Sequence, residues 1–209
     1  MTSRLELYNK ALGHLGPVRL NTVTENRPDR YELDAVYDAT RNFILESGLW
    51  FFALRTVQLE PDTDVEPGFG LPYVYTLPSD FVRLRLLSPD EHQTQEDRSF
   101  RREGAYLRSE YSRLYATFVS NDPAFGMNLG AWPEAVADAA GAELAYRSGL
   151  PITKDRGTKN DLLLIKKRVL VEAKRLNAVD ERVKEKPLSS WARNRLVGSR
   201  SNDQRREST

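Results

Sequence analysis

The sequence contains no cysteine, and this absence excludes disulfides, thiol catalysis and sulfur-ligated zinc sites. Histidine is nearly absent as well. His14 falls off the apolar stripe of a predicted helix, and His92 falls in a polar loop. Two such residues leave little material for a catalytic triad or a multi-histidine metal site. We therefore expect ordinary surface histidines, no metal site and no cofactor.

The chain also lacks a strong net charge and a long apolar run. Its 31 basic and 30 acidic side chains give a formal charge of +1, which argues against a protein that coats nucleic acid. No stretch approaches the roughly 18 apolar residues of a membrane span, and the first residues lack the apolar core of a signal peptide. A chain of 209 residues suffices for one core with an appendage, so we expect a soluble protein.

Basic residues are concentrated at the C-terminal end. Residues 181–209 hold eight basic and four acidic side chains, a net charge of +4, against −3 for the rest of the chain. This segment has few apolar residues and little periodicity, so it cannot bury enough surface to fold alone. We therefore divide the chain into a folded body, residues 1–180, and an extended C-terminal arm, residues 181–209.

Apolar residues recur at helical spacing in four segments, two of which lie before residue 50. Ser3 and Glu6 have the spacing of a capping box, and this first helix should run over residues 3–16. The second should run over residues 29–47, and Gly48 is placed to end it in the left-handed conformation. Its other face carries charged residues about four apart, which predicts solvated ion pairs.

The other two helices lie near the C-terminal end of the body. The helix that opens at Pro133 is rich in alanine and glycine, so a neighbour can approach its backbone closely. That neighbour is either another helix of the same chain or an adjacent subunit. This helix should end at about residue 148, before Pro151. The fourth should run over residues 158–180, with Thr158 as its cap and a buried stripe that reaches Leu176, and Lys166 should lie elsewhere on its surface.

Between the two helix pairs, apolar and polar residues alternate as they do in strands. Five strands are predicted within residues 53–120, and a Pro-Ser-Asp turn joins two of them. The polar segment SPDEHQTQEDRS, residues 88–99, is expected to be an exposed loop. The predicted fold is mainly α, within the α+β class. It is a bundle of about four helices with a small antiparallel β-sheet inserted between the N-terminal and the C-terminal helix pair.

An acidic stretch, DTDVEP, begins at Asp62 like a calcium-binding loop, with oxygen-bearing residues at alternate positions. A calcium loop needs glycine where this chain has Pro67, and a closing glutamate where it has Tyr73. We therefore interpret the stretch as a solvated acidic loop. No carboxylate stands beside a partner that sequence alone identifies as catalytic, so we expect no enzymatic activity.

The stretch ILESGLWFFALRTVQL, residues 44–59, places Trp50, Phe51 and Phe52 in a row between the second helix and the first strand. The rings either fill the space between these elements or form a ligand platform. Each buried ring would contribute a few kcal/mol, which favours the core. Consecutive residues point in different directions, so one of Phe51 and Phe52 should reach a second surface.

Three sequence patterns together resemble one protein family. The first is Leu-x-x-Tyr/Cys-Asn-x-Ala-Leu-x-x-Leu-Gly, at Leu5, Asn9, Ala11, Leu12, Leu15 and Gly16. The second is Trp-x-Phe-Ala, at Trp50, Phe52 and Ala53, and the third is Tyr-x-Leu-Pro-x-Asp, at Tyr75, Leu77, Pro78 and Asp80. Their order and spacing over roughly residues 3–180 resemble the head-to-tail adaptor family of short-tailed bacteriophages, also called tail tubular protein A.

The resemblance implies a virion structural protein of the tail or neck, present in the host cytoplasm during assembly. It implies a homo-oligomer, a dodecameric ring beneath the phage portal protein, that extends the DNA channel without sequence-specific binding of the DNA. The ring is the platform for the tail nozzle and the fibre or spike proteins. The family implies no catalytic residues, no cofactor and no membrane contact.

The resemblance also implies a role for the C-terminal arm. In relatives with a C-terminal extension, the arm is similar to a docking strap on the portal, and the segment PLSSWARNR stands where that strap would lie. The residues implied in portal binding are Leu188, Trp191, Arg193 and Arg195.

A second function remains open at this point. A helical nucleic-acid-binding or regulatory protein would use the basic C-terminal tail as a salt-sensitive anchor on phosphates. Because the overall charge is near neutral, we place this alternative after the adaptor function. Tight DNA binding by the monomer would favour it, whereas association with the portal would favour the adaptor.

Overall fold

The computed structural model describes residues 1–68 and 70–179. Within this range the chain has four α-helices and six strands, and this arrangement confirms the predicted α+β class. The helices are α1, Arg4–Leu15; α2, Pro28–Ser47; α3, Glu134–Thr153; and α4, Arg156–Val179. The strands are β1, Leu54–Leu59; β2, Tyr73–Thr76; β3, Phe81–Ser88; β4, Arg101–Glu103; β5, Tyr106–Ser109; and β6, Leu114–Ser120. The predicted C-terminal arm lies outside the described residues.

α3 packs closely on α1 because small residues line the contact. A Cβ atom at Gly141 would lie 2.7 Å from the Cβ atom of Lys10, so glycine permits this approach. The ammonium group of Lys10 then forms ion pairs with Glu134 and, at 2.6 Å, with Asp138. Most of α3 is buried in the helical core. Packing within the chain therefore accounts for its composition.

The ends of α1 follow the predicted signals, but the end of α2 does not. The Ser3 hydroxyl accepts the backbone N–H of Glu6 at 3.2 Å, and Gly16 ends α1 with a left-handed φ of 91°. The prediction of a left-handed Gly48 is wrong, since its φ is −148°. Glycine is needed there because a Cβ atom would lie 2.7 Å from Cε2 of Trp50.

α3 continues beyond its predicted end at residue 148. It runs to Thr153, with Pro151 inside its last turn. The proline removes one backbone donor, but the Lys154 N–H donates to the Leu150 carbonyl at 2.9 Å and closes the turn. The helix therefore completes its last turn around the proline with the loss of one backbone donor.

α4 begins two residues before the predicted position, and its cap is Asp155 instead of Thr158. The Asp155 carboxylate accepts the backbone N–H groups of Gly157 and Thr158, both at 2.9 Å. A carboxylate satisfies these otherwise unpaired donors and is well placed at the positive end of the helix dipole. The hydroxyl of Thr158 also donates to this carboxylate, at 2.6 Å.

The buried face of α4 changes near its C-terminal end. Leu176 is 43% exposed, so its predicted place in the buried stripe is wrong. Asn177 faces the body instead. Its side-chain amide accepts the N–H of Phe51 at 3.1 Å and donates to the carbonyl of Leu49 at 2.9 Å. A polar side chain therefore joins α4 to the backbone of the aromatic run.

The β insertion consists of two antiparallel three-stranded sheets, where one small sheet was expected. Their strand orders are β1-β6-β3 and β2-β5-β4. The turn after β2 carries the chain from one sheet to the other, so β2 and β3 do not pair with each other. A second apolar core joins residues of both sheets: Leu59, Tyr75, Leu87, Leu107, Leu114, Ala116 and Phe118.

Strand β6 contributes to both cores. Ala116 and Phe118 belong to the core between the sheets, whereas Val119 belongs to the helical core. This division follows from the alternation of side chains along a strand. The sheet β1-β6-β3 is therefore the layer between the helices and the second sheet.

The polar loop between β3 and β4 was expected to be exposed, but part of it is buried. Asp97 is only 4% exposed, and its carboxylate accepts the hydroxyls of Ser99 and Ser109, both at 2.8 Å. Its backbone N–H donates to the Leu87 carbonyl at 2.8 Å. A buried carboxylate therefore attaches the loop to the sheets. The strand β4 that follows was not predicted, because its three residues are all charged.

Candidate functional site

The first sequence pattern holds the loop that follows α1. The Oδ1 atom of Asn9 accepts the Leu20 N–H at 2.8 Å, and Nδ2 donates to the Leu20 carbonyl at 3.0 Å. The side chain thus pairs with the loop backbone as a neighbouring strand would. Ala11 and Leu12 of the same pattern are buried in the helical core. This pattern is therefore explained by folding.

Replacing Asn9 with alanine is expected to lower the free energy of unfolding by about 1 to 3 kcal/mol, because the backbone groups of the buried Leu20 lose their partners. Urea denaturation measures the change. Asn26→Ala is the control, since Asn26 is exposed and its side chain accepts only the hydroxyl of Tyr31 among the residues that the structure describes. Equal losses in the two variants would contradict the role given to Asn9.

The second pattern centres on Trp50, which is fully buried. Its indole Nε1 donates to the carbonyl of Ile44 at 2.6 Å, one of the last carbonyls of α2 that lack a helical partner. Phe52 stacks on Trp50, with ring centroids 6.2 Å apart, and contacts Trp132 at 5.5 Å. The predicted core role of Trp50 is confirmed.

Phe51 has a different environment from its two neighbours. The guanidinium of Arg85 lies 4.9 Å from the centre of its ring, and its backbone N–H bonds to Asn177 of α4. Phe51 is half-buried and lies outside the helical core that includes Trp50 and Phe52. The expectation that one of the two phenylalanines reaches a second surface is therefore confirmed.

The third pattern spans the crossing between the two sheets. The hydroxyl of the buried Tyr75 donates to the Tyr111 carbonyl at 2.5 Å. Burial raises the pKa of Tyr75 to about 12, so the hydroxyl remains a donor at neutral pH. The carbonyl of Pro78 accepts the N–H of Phe81 at 3.0 Å and closes the turn. These contacts position Asp80 at the start of β3.

Asp80 holds this turn against the first sheet. Its carboxylate accepts the guanidinium of Arg55 at 2.8 Å and the hydroxyl of Ser120, and its backbone carbonyl accepts the N–H of Asn121 at 3.0 Å. Burial alone would raise the pKa of Asp80, but the hydrogen bonds from Ser120 and Arg55 outweigh it and hold that pKa below its usual value. The ionised carboxylate therefore links the turn to β1 and β6.

The stabilising effect of Asp80 is expected to disappear on acidification. Its pKa is lower in the folded chain than the unfolded value of about 3.9, so its contribution is present above that value and is lost as the pH falls through the folded pKa. Wild type should be more stable than Asp80→Asn near neutral pH. The difference should shrink from about pH 5 downward. Urea denaturation at several pH values measures it, and a constant difference would contradict the expectation.

A polar cluster joins α1 to α2. The Asp34 carboxylate accepts Arg4 at 2.6 Å, together with the hydroxyl of Tyr8 and the guanidinium of Arg30. Burial alone would raise the pKa of Asp34, but the hydrogen bonds from Tyr8 and Arg30 outweigh it, and this pKa is lowered. The predicted ion pairing on α2 is confirmed for Arg30 and Asp34. Because its members bond to one another, the cluster serves to join the helices.

A second polar cluster joins α3 to α4. Glu143 is 4% exposed and accepts Arg147 at 2.7 Å and Lys166 at 3.0 Å. The ammonium of Lys166 also lies 3.7 Å from the ring centre of Tyr146. Lys166 was expected on the outer surface of α4, but this buried carboxylate draws it toward α3. Removing one partner of such a buried pair is costly, so the cluster fixes α4 on the body.

The face of α4 opposite its buried stripe is both apolar and basic. Leu164 and Val171 are 67% and 66% exposed, and their spacing of about two turns places them on one line along the helix. The basic residues around that line are exposed as well, and one of them, Arg175, pairs with the exposed Glu172 at 2.6 Å. We call this surface the α4 outer face, defined by Leu164, Lys167, Arg168, Val171, Lys174 and Arg175.

His14 and His92 are exposed, as expected. Within residues 1–68 and 70–179, no group of three or more His, Cys, Asp or Glu side chains is placed to hold a metal ion. None of the helices in the same part of the chain is long and apolar enough to cross a membrane.

The residues to which the resemblance assigns portal binding, Leu188, Trp191, Arg193 and Arg195, lie outside the described residues. The three patterns that carry the resemblance all lie inside them. No protein-family model matches the chain, and no curated protein matches it.

Proposed function

We propose that this chain is a head-to-tail adaptor of a short-tailed bacteriophage. It is a virion structural protein that forms a ring under the portal, extends the DNA channel and provides the attachment platform for the tail. The observation that carries the proposal is the order and spacing of the three sequence patterns along one chain. The architecture of two helices, a β insertion and two helices is consistent with the one that the resemblance implies.

The positions of the pattern residues support the proposal. Each pattern lies at a junction between elements: Asn9 holds the loop after α1, Trp50 lies between α2 and β1, and Asp80 holds the crossing between the sheets. Residues that determine such junctions would be common to proteins that share this fold, whatever their surfaces bind. The shared patterns are thus accounted for without a catalytic site.

Assembly with the portal tests this function. Full-length chain is mixed with purified rings of the portal protein encoded in the same genome, and the mixture is sedimented and imaged by negative-stain electron microscopy. We expect the chain to sediment with the portal and to add a ring of density on its tail side. A chain that stays in the supernatant, with portal rings unchanged, would overturn the proposal. An unrelated protein of similar size is the control for non-specific trapping in the portal pellet.

The isolated chain is expected to be a monomer or a weak oligomer that closes into a ring only on the portal. Ordered assembly needs surfaces that stay unpaired until a template aligns them, and a ring uses head-to-tail contacts whose rotation closes. Light scattering of the purified chain, with and without portal, measures this. A stable dodecamer without portal would contradict templating but not the adaptor function.

Nucleic-acid binding is the second candidate function, and the observation that favours it is the basic character of the α4 outer face. A gel shift with duplex DNA at about 50 and 200 mM salt separates the two functions, since phosphate contacts weaken steeply over this range. Tight, salt-sensitive binding by the monomer, without association with the portal, would favour the second function.

A further inference from the structure

α4 carries apolar residues on two opposite faces. Its inner face belongs to the helical core through Leu162 and Ala173. On the outer face, Leu164 and Val171 are two-thirds exposed and about 10 Å apart along the axis. Single exposed apolar residues are ordinary, but two on one line of a helix, with basic residues beside them, have the composition of a protein contact.

Charge indicates what kind of partner fits this face. α4 holds seven basic and two acidic residues, a net charge of +5, whereas residues 1–153 hold 15 basic and 22 acidic residues, a net charge of −7. Residues 180–209 carry +3, the same sign as α4. Of the surfaces that this chain can offer, the acidic body of another copy is therefore complementary in charge to α4, whereas the chain's own C-terminal segment is a poor match.

The acidic side chains of the body are densest in the loop between β1 and β2. We call residues 60–66 the acidic loop; its carboxylates are Glu60, Asp62, Asp64 and Glu66, and it has no basic residue. In the described part of the chain none of the four forms an ion pair, while the hydroxyl of Thr76 donates to Asp62 at 2.5 Å. Glu60, Asp64 and Glu66 are exposed.

The α4 outer face and the acidic loop adjoin different cores of the body. Near its C-terminal end α4 bonds to the residues just before β1, through Asn177 and Phe51. From there β1 runs about 20 Å into the core between the sheets, to Leu59. α4 lies instead along the helical core, where Lys166 pairs with Glu143. Within one copy the α4 outer face is thus carried by the helical core, and the acidic loop follows a strand that ends in the core between the sheets.

We infer that the α4 outer face of one copy binds the acidic loop of a second copy in a head-to-tail contact. Leu164 and Val171 form the apolar centre, and Lys167 and Arg168 pair with the carboxylates around it. Each copy offers one surface of each kind, so the contact repeats until its rotation closes a ring. The role of this contact beneath a portal rests on the proposed function, but the contact itself needs no portal.

Crosslinking of single-cysteine variants tests the contact, and the absence of native cysteine makes it specific. Full-length Leu164→Cys and Asp64→Cys are mixed and treated with a short bismaleimide. We expect roughly tenfold more heterodimer than from a mixture of Leu164→Cys with Val18→Cys, as a favourable contact free energy of about 1.4 kcal/mol would produce. Val18 is the control because it is 79% exposed in the loop after α1. Equal yields would overturn the inference.

The double-cysteine chain, Leu164→Cys with Asp64→Cys, tests the head-to-tail arrangement. A ladder of dimers, trimers and larger species is expected, because each link leaves one free surface of each kind. Dimers alone would show a reciprocal two-fold contact, and a crosslinked monomer would show that the surfaces meet within one copy. Either result would overturn the inference.

Charge reversal separates this contact from nucleic-acid binding. Adding Lys167→Glu and Arg168→Glu to the Leu164→Cys chain should lower the yield of crosslinked heterodimer roughly tenfold. Adding Glu60→Lys and Glu66→Lys to the Asp64→Cys chain should then restore that yield. Circular dichroism checks that each variant is folded. If the yield is not restored, the inference is wrong. It is also wrong if the wild-type pair crosslinks no better than the Val18→Cys control while Lys167→Glu with Arg168→Glu abolishes a DNA gel shift.

The two proposals fail in different ways. Portal rings that gain a ring of this chain, without the crosslinks, would overturn the contact and leave the adaptor function standing. Crosslinked ladders from a chain that never associates with the portal would overturn the adaptor function and leave the contact standing.

Discussion

Replacing Trp50 with alanine is expected to lower the free energy of unfolding by about 3 to 5 kcal/mol, the usual cost of truncating a large buried aromatic. The ring is fully buried, stacks on Phe52, and donates a hydrogen bond to the Ile44 carbonyl. Total stabilities are typically about 5 to 15 kcal/mol, so this one change should bring the chain close to unfolding. Urea denaturation followed by circular dichroism measures the loss.

Two further variants make the Trp50 experiment specific. Phe51→Ala removes a neighbouring ring that is only half-buried, so it should cost less than Trp50→Ala. Trp50→Phe retains an aromatic ring but leaves the Ile44 carbonyl without its indole donor, so it should cost an intermediate amount. A melting temperature for Trp50→Ala within about two degrees of wild type would contradict the core role.

Removing residues 187–209 is expected to abolish or greatly weaken association with the portal while folding and melting stay nearly unchanged. The reason lies in the sequence, since the segment falls outside the described residues. It has too few apolar residues to offset the entropy cost of its own ordering, yet it contains Trp191 beside Arg193 and Arg195. Tryptophan and arginine are the residues most enriched at binding hot spots. Co-sedimentation with portal rings measures the loss.

Point variants test the same arm without shortening it. Trp191→Ala should reproduce much of the loss, on the order of 2 kcal/mol or more of binding free energy. The double change of Arg193 and Arg195 to alanine should make the remaining binding less sensitive to salt, because ionic contacts are screened and the tryptophan contact is not. If the truncated chain co-purifies with the portal at wild-type yield, docking lies in the folded body and the arm hypothesis is wrong.

Local interactions explain which parts of the fold were predictable. The Ser3 cap bonds to a residue three positions away, and Gly16 ends α1 through its own backbone conformation. The position of α2 depends on helical periodicity alone, and its apolar residues Leu33, Tyr37 and Ile44 lie on one face and are buried. Trp50 was placed in the core because of its position between two amphipathic elements. In each case the deciding residues lie within a few positions of one another.

Surface features that depend on contacts between distant elements could not be predicted from the sequence. The α4 outer face could not be identified from composition, because Leu164 and Val171 become meaningful only when the opposite face is known to be buried. The inward position of Lys166 was missed for a similar reason, since its partner Glu143 lies on another helix. The sequence pattern of a helix shows which residues share a face but not what that face contacts.

The sequence by itself determined the α+β class, the four helices, most strand positions and the buried tryptophan, because periodicity and capping are encoded over a few residues. Only the tertiary structure decided that β2 and β3 lie in different sheets. The alternation of apolar and polar residues along a strand is the same whichever strand it pairs with. The tertiary structure also decided that Asp97 is buried and that Gly48 is extended. The first depends on a hydroxyl 12 residues away. The second depends on where the core holds the buried ring of Trp50, so although that residue is only two positions away its effect is not visible in a local pattern.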